Sequence, residues 1–382
     1  ISQKQIIKRG LHCSPLFLCY FWSKMEQHLH NILQKRKANN GFRQLKTEAA
    51  GIDFCSNNYL GLSNKDWEIE SKQNGATGSR LISGHSTVFD TVEQQISTFH
   101  NTEAALIFNS GYDANLGFFS CIPQKGDTVI YDALCHASIR DGLRLGVANN
   151  FSFKHNNVTD LERKILKANR TIFVVIESIY SMDGDAAPLK EIAKICKEHK
   201  VYLIVDEAHS TGVFGKNGTG LCQELNINTF ARIHTFSKAL GCHGAAIVGS
   251  QNLKDYLINF ARSFIYTTAM PEHSILCIQK VVEHLNTSTA EQEILHQKIA
   301  LFQKNFKNAK LIYSRSPIQS IIIGGNEKTK EIATTLQQAG FDIRPILHPT
   351  VAEGSERIRV CLHTYNADED IIALCKKLTE LL

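Results

Sequence analysis

Leu203-Ile-Val-Asp-Glu-Ala-His209 and, further along, Arg232-Ile-His-Thr-Phe-Ser-Lys238 are the two stretches that decide the fold. The first opens as a short apolar run, which is how a strand buried on both faces of a parallel sheet reads, and the second reads as another short strand. Each ends in chemistry: Asp206 and His209 after the first run, Lys238 after the second. Open α/β sheets place their ligand sites beyond the carboxyl ends of the strands. Working outward, further apolar runs at 104–108, 128–131, 172–176 and 245–248 alternate with helical patterns. That alternation predicts an α/β protein with a mostly parallel central sheet and helices on both faces. One helix is well marked, with Pro188 at its start and Leu189, Ile192, Ala193 and Cys196 at helical spacing.

After about residue 269 the pattern changes. A long amphipathic helix over roughly 270–307 is expected, then strands at 318–323 and 358–362 and a helix over 329–339 stopped by Gly340. This predicts a smaller C-terminal α+β domain at 269–382, a large domain at 61–268, and an N-terminal arm at 25–60 that opens with a helix over 25–40. Residues 1–24 carry Lys4, Lys8, Arg9 and an apolar stretch but no small-residue cleavage pattern, so they read as a leader of doubtful authenticity before Met25.

Bulk properties exclude several classes. The 382 residues are 43% apolar and 21% charged, an ordinary balance for a globular enzyme. A formal charge of +5 with no basic block leaves no footprint for nucleic acid. Eleven cysteines stand singly, with no metal spacing, which suits free thiols in a cytoplasmic protein and predicts no metal site. The longest apolar run, Leu16 to Trp22, is too short to span a bilayer.

Taken alone, Ser237-Lys238 is an ordinary solvated turn and Asp206-Glu207 an ordinary helix start. Together at the ends of two buried strands they suit pyridoxal phosphate. The lysine condenses with the cofactor aldehyde, and the carboxylate keeps the pyridine nitrogen protonated. Phe108-Asn-Ser-Gly-Tyr-Asp follows a strand and opens a helix, so the N–H groups of Gly111 and Tyr112 form a phosphate seat. His136, in Asp132-Ala-Leu-Cys-His-Ala-Ser138, is placed to lie on the ring, and Ser181 to reach it. His209 and Thr235 are expected to donate to the phenolic oxygen and the phosphate, respectively.

With Asp-Glu-Ala-His209 and Thr-Phe-Ser-Lys238 quoted, the chain from about Asn40 onward resembles the α-oxoamine synthases. These are fold-type-I pyridoxal phosphate enzymes that condense an amino acid with an acyl thioester and release CO2. Gly75-Ala-Thr-Gly-Ser-Arg-Leu-Ile-Ser-Gly84 and Arg344-Pro-Ile-Leu-His-Pro-Thr350 are most similar to the branch that joins L-alanine to a pimeloyl thioester, carried on coenzyme A or a carrier protein, in biotin synthesis. The resemblance implies that Arg43, Asn57, His136 and Thr350 border the substrate and that Arg359 binds the amino-acid carboxylate. It also implies a homodimer in which the Tyr266-Thr267-Thr268 segment reaches the other subunit's phosphate. Asn58, His85 and Ala352 replace residues usual in the family, and the stretch from Leu62 to Gly75 is short, which bears on the acyl chain accepted.

Sister reactions using glycine with acetyl-CoA, or serine with a long acyl-CoA, share the same motifs. A non-catalytic partner subunit would lack the lysine. Gly215-Lys-Asn-Gly-Thr-Gly220 has the wrong glycine spacing for a dinucleotide site, and Glu293-x-x-His296 has no second pair to complete a carboxylate-bridged metal helix.

Overall fold

The computed structural model describes residues 15–45, 51–71 and 73–382. The strands in chain order are β1 (Ile52–Asp53), β2 (Ala104–Phe108), β3 (Thr128–Asp132), β4 (Asn149–Phe153), β5 (Ile172–Glu177), β6 (Tyr202–Asp206), β7 (Ala231–Thr235), β8 (Ala245–Gly249), β9 (Ile318–Ile322), β10 (Phe341–Asp342), β11 (Pro345–Ile346) and β12 (Arg357–Cys361). Seven of them form the central sheet in the order β2-β8-β7-β6-β5-β3-β4. Its pairs are parallel except those on either side of β8.

Alternation along the buried strands builds a core on each face of this sheet. Val174 and Ile176 of β5, Leu203 and Val205 of β6, and Ala105 and Ile107 of β2 pack into one apolar cluster. Phe173, Val175, Ile204, Leu106 and Phe108 point the other way into a second. Because successive side chains leave opposite faces, a continuous apolar run is needed to fill both cores. That is why these strands were visible as unbroken runs. A second sheet, β11-β12-β9, is antiparallel, and β1 pairs in parallel with β10, so the segment before residue 60 is tied to the C-terminal part of the chain.

Three elements depart from expectation. β4 was missed because Asn149-Asn-Phe-Ser152 is exposed and only Phe153 is buried. It pairs with β3 alone at the sheet edge, where no apolar run is required. The helix expected over 270–307 is two helices, Glu272–Thr287 and Ala290–Asn305. Between them Ser288 is extended. The run Asn286-Thr-Ser-Thr289 turns its hydroxyls onto local backbone and Glu291, with Thr287 donating to His284 O and Ser288 to Glu291. Such local bonds compete with helix continuation. The first helix, expected over 25–40, runs Pro15–Ala38 and passes through Met25 without a break. Residues 1–14 lie outside the described residues.

Two buried polar clamps hold the loops at the carboxyl end of the sheet. Glu93, 1% exposed, receives Arg80 at 2.5 Å, Lys254 at 2.7 Å and the Ile107 N–H of β2 at 2.9 Å. It thereby fixes the glycine-rich 75–84 segment beside the end of β2. The second clamp fixes the 181–185 loop against the three-stranded sheet. Arg357 of β12 pairs with Asp183, Ser314 and Ser316 donate to Gly184 O, and Ser320 donates to Met182 O. Gly184 has a φ of +76°, and a Cβ there would lie 2.3 Å from Ile318 O, so only glycine allows this approach.

Removing a carboxylate from beneath two cations leaves buried charge unpaired, which costs roughly 3–5 kcal/mol. Glu93→Ala is therefore expected to lose about that much stability in urea unfolding, whereas Glu331→Ala, on an exposed helix face, should change it by under about 0.5 kcal/mol.

Candidate active site

Strand ends bring the chemistry together. β5 and β6 run side by side with Glu177 and Asp206 in register as their last residues. Asp206 is 5% exposed. Its Oδ2 accepts from Asn115 Nδ2 at 2.8 Å and its Oδ1 from the Ala208 N–H at 2.9 Å. These two donors hold the carboxylate at the carboxyl end of the sheet, where it has no salt-bridge partner among the described residues. Asn115 is fixed in turn by a 3.0 Å bond from the same Nδ2 to Ser138 Oγ.

Lys238 follows β7, and its Nζ lies 2.7 Å from His209 Nε2. Burial pulls the Lys238 amine down to about 8, although the Asp206 charge opposes the shift. His209 is 3% exposed, and burial together with the Lys238 charge keeps it neutral, its pKa well below the usual histidine range. From His209 a chain of contacts continues. Its Nδ1 lies 2.9 Å from the Tyr59 hydroxyl, which donates to Asn57 Oδ1 at 3.0 Å. Arg359 Nη2 donates to the same Asn57 oxygen at 2.9 Å. With the Tyr59 proton on Asn57, His209 donates from Nδ1 and receives the Lys238 ammonium at Nε2. One unbroken polar path therefore joins Lys238 to Arg359.

His136 caps the helix Ala137–Leu145, and its Nδ1 accepts from the Ser138 N–H at 3.2 Å. Burial lowers its pKa, so the ring is neutral and, with Nδ1 accepting, carries its proton on Nε2. That N–H has no hydrogen-bond partner among the described residues. The backbone N–H of His136 donates to Glu177 Oε1 at 2.6 Å, and the Ser181 N–H reaches the same carboxyl group. Burial and the Asp206 charge push Glu177 up to about 8.

At the other side, Gly111 opens the helix Gly111–Cys121, and a Cβ there would lie 2.3 Å from Thr235 Oγ1. The seat formed by this helix start and Thr235 is thus lined by backbone N–H and one hydroxyl. Tyr112 contributes its N–H to this first turn, while its phenol donates outward to Asp141 at 2.6 Å. Thr267 Oγ1 accepts from Asn109 Nδ2 at 3.1 Å. Arg43 and Thr350 meet at 3.0 Å on exposed segments.

All the residues singled out from the motifs therefore have a described position, and Lys238, His209, Asp206, Asn57 and Arg359 are linked or adjacent. Tyr59, Asn115 and Glu177 were missed. Tyr59 stands two residues after Asn57 in a turn and meets a histidine 150 residues away, a contact that no local pattern carries. Glu177 offered one signal, a carboxylate ending an apolar strand, the same feature that drew attention to Asp206.

A phosphorylated pyridine aldehyde fits this donor set. The amine is fixed beside a neutral histidine, a carboxylate closes the neighbouring strand, and the helix start is shaped so that a side chain at residue 111 would fill it. Arg359 Nε is buried with no hydrogen-bond partner among the described residues, which leaves one edge of the guanidinium for a carboxylate from outside.

The chain belongs to the class I and II aminotransferase family, whose model matches residues 49–378. It is 36% identical to an 8-amino-7-oxononanoate synthase of Emericella nidulans, over 94% of this chain and 96% of the other. Among solved structures it is similar to the 8-amino-7-oxononanoate synthase of Francisella tularensis, with 27% identity, a TM-score of 0.72 and coverage of 87% of this chain and 98% of that one. It is also similar to the serine palmitoyltransferase of Sphingomonas wittichii, with 28% identity, a TM-score of 0.80 and 87% coverage of both chains. The fold is that of the fold-type-I enzymes, and the cofactor is pyridoxal phosphate. Among the described residues no helix is long and apolar enough to cross a membrane.

A lysine amine captures an aldehyde only when neutral. Because the Lys238 amine sits near 8, the rate of cofactor capture, followed by absorbance, should rise with pH up to about 8 and flatten above it. Lys238→Ala should abolish the absorbance change at every pH, and a rate that keeps climbing to pH 10 would contradict the depressed amine.

Proposed function

We propose that this chain is an 8-amino-7-oxononanoate synthase. It joins L-alanine to a pimeloyl thioester with loss of CO2, releasing the free thiol of coenzyme A or a carrier protein, in biotin biosynthesis. The observation that carries this reading is the polar path from Lys238 through His209, Tyr59 and Asn57 to Arg359. It connects an amine positioned for proton transfer with a guanidinium open to an amino-acid carboxylate. The identity with curated synthases of that name supports the choice within the family.

When bound at Lys238, pyridoxal phosphate supplies an electron sink for the bond broken at the substrate Cα. Asp206, oriented by Asn115 and the Ala208 N–H, would pair with the ring nitrogen and keep the proton there. Gly111, Tyr112 and Thr235 would hold the phosphate through two backbone N–H groups and one hydroxyl. Arg359 grips the alanine carboxylate and so turns the Cα–H bond toward Lys238. Once displaced by substrate, the Lys238 amine, about half neutral near pH 8, would take the Cα proton at Nζ. His136 donates from Nε2 to the thioester carbonyl oxygen as negative charge builds there. With the Tyr59 hydroxyl turned to Nδ1, His209 would carry its proton on Nε2 and would donate it to the cofactor's phenolic oxygen, and Ser181 would lie near the ring.

Arg43 and Thr350 line the approach to Arg359 and contact the acyl substrate. Residues 61–268 act as the cofactor-binding domain and 269–382 as the smaller substrate-gripping one. In a homodimer, Thr267 of each chain would reach the phosphate bound by the other.

Offered alanine, glycine or serine with pimeloyl-, acetyl- or palmitoyl-CoA, the purified protein should release free thiol fastest with alanine and pimeloyl-CoA. A preference for glycine with acetyl-CoA would move it to a sister reaction. Arg359→Lys replaces a planar fork with a point charge. It should raise the alanine KM by roughly tenfold or more, with a smaller effect on the thioester KM, as steady-state kinetics would show.

A further inference from the structure

Asp206 is not the only carboxyl group at the end of the sheet, and the second one has no role in the steps above. Glu177 closes β5 in register with Asp206, is 2% exposed, and accepts the backbone N–H groups of both His136 and Ser181. The residues that it grips come from different loops, one after β3 and one after β5. Those loops carry the two side chains assigned to the face and the edge of the cofactor ring. We infer that Glu177 is a neutral positioning residue, a protonated carboxyl group that sets His136 and Ser181 around the ring while leaving Asp206 as the single anion there. This inference rests on the cofactor assignment above and extends it to the packing behind the ring.

Two carboxylates on adjacent residues of neighbouring buried strands cannot both ionise cheaply, since each is a like charge to the other in a medium of low dielectric. The surroundings decide which one keeps the proton. Asp206 is held by a side-chain amide and a backbone N–H and faces Lys238. Glu177 faces Asp206 on β6, Lys238 after β7, His136 and Cys135 after β3, Asp132 at the end of β3, and Tyr180 on its own loop. Of these only Lys238 is cationic. His136 is neutral, and Cys135 and Tyr180 are pushed far above their usual ranges by burial. Burial and the Asp206 charge therefore leave Glu177 protonated at neutral pH, ionising near 8. Ionised there, it would place a second anion behind the ring and hold the proton on the Lys238 amine.

The test uses the cofactor-free full chain and reads Lys238 directly, by competitive labelling with an amine-directed acylating reagent followed by peptide mass analysis. Wild type and Glu177→Gln are compared from pH 6 to 10. Gln keeps the acceptor oxygen for the two N–H groups and cannot ionise. The labelling curves should coincide below about pH 7, where Glu177 is neutral in the wild type. Around pH 8 they should part, with Lys238 in Glu177→Gln labelled up to about twofold faster, and they should meet again by about pH 10, where both amines are neutral. Glu177→Ala removes the acceptor and should weaken pyridoxal phosphate binding by roughly tenfold. Glu177→Gln should restore that binding.

Curves that coincide throughout would show that Glu177 does not act on the site. Curves that differ already at pH 6 would show that it is ionised at neutral pH. A Glu177→Gln chain that misfolds, or binds cofactor as weakly as Glu177→Ala, would show that a neutral acceptor does not suffice. Each of these outcomes overturns the inference while wild-type capture of the cofactor at Lys238 still stands. Failure of wild type to bind the cofactor would instead defeat the underlying assignment.

Discussion

The contact between Lys238 Nζ and His209 Nε2, 2.7 Å long inside a buried pocket, is the interaction on which the rest of the structure depends. An amine at the end of a strand is ordinarily charged and solvated. Here burial pulls it toward neutrality while the Asp206 charge opposes the shift, and the balance leaves it near 8. Only an amine so poised can both condense with an aldehyde and later serve as a base at neutral pH. His209 can accept from it because that ring is itself kept neutral by burial. Through Tyr59 and Asn57 the same contact reaches Arg359, on a different sheet. The amine and the carboxylate receptor are therefore set relative to one another by hydrogen bonds, and not by chain connectivity.

That arrangement explains where the fold places its buried polar groups. Those around the sheet's carboxyl end are satisfied in pairs and triples: Glu93 under Arg80 and Lys254, Asp183 against Arg357, and Gly184 O under two serine hydroxyls. A buried ion pair seldom adds net stability over apolar packing. Its value here is geometric, because one clamp fixes the 75–84 segment beside the end of β2 and the other immobilises the loop that carries Ser181. Arg357 and Arg359 leave the same strand, so the clamp on the 181–185 loop also fixes the strand from which the carboxylate receptor projects.

Much of this was legible in the sequence, for reasons that particular residues show. β5 and β6 were visible because a strand covered on both faces needs an unbroken apolar run, and Asp206 stood out at the end of one, whereas β7, Ala-Arg-Ile-His-Thr, was marked by the Lys238 that follows it. Gly111 was visible as the first residue of a helix directly after a strand. β4 was not, because an edge strand facing water can be written Asn-Asn-Phe-Ser. The break at Ser288 was hidden because helical periodicity resumes in phase on the far side. Tyr59 and Glu177 were illegible as site residues for a different reason. Their roles come from partners brought near by the fold, and nothing in their immediate neighbours distinguishes them from an ordinary turn tyrosine and an ordinary strand-end glutamate. The length of the first helix, from Pro15, was obscured by the apparent start at Met25.

The account stands or falls on where the cofactor attaches. Borohydride reduction of the cofactor-loaded protein, followed by proteolysis and mass analysis, reads that attachment directly. The predicted result is a single pyridoxyl adduct on the peptide that contains Lys238. An adduct on any other lysine, or none at all from folded protein saturated with pyridoxal phosphate, would contradict it.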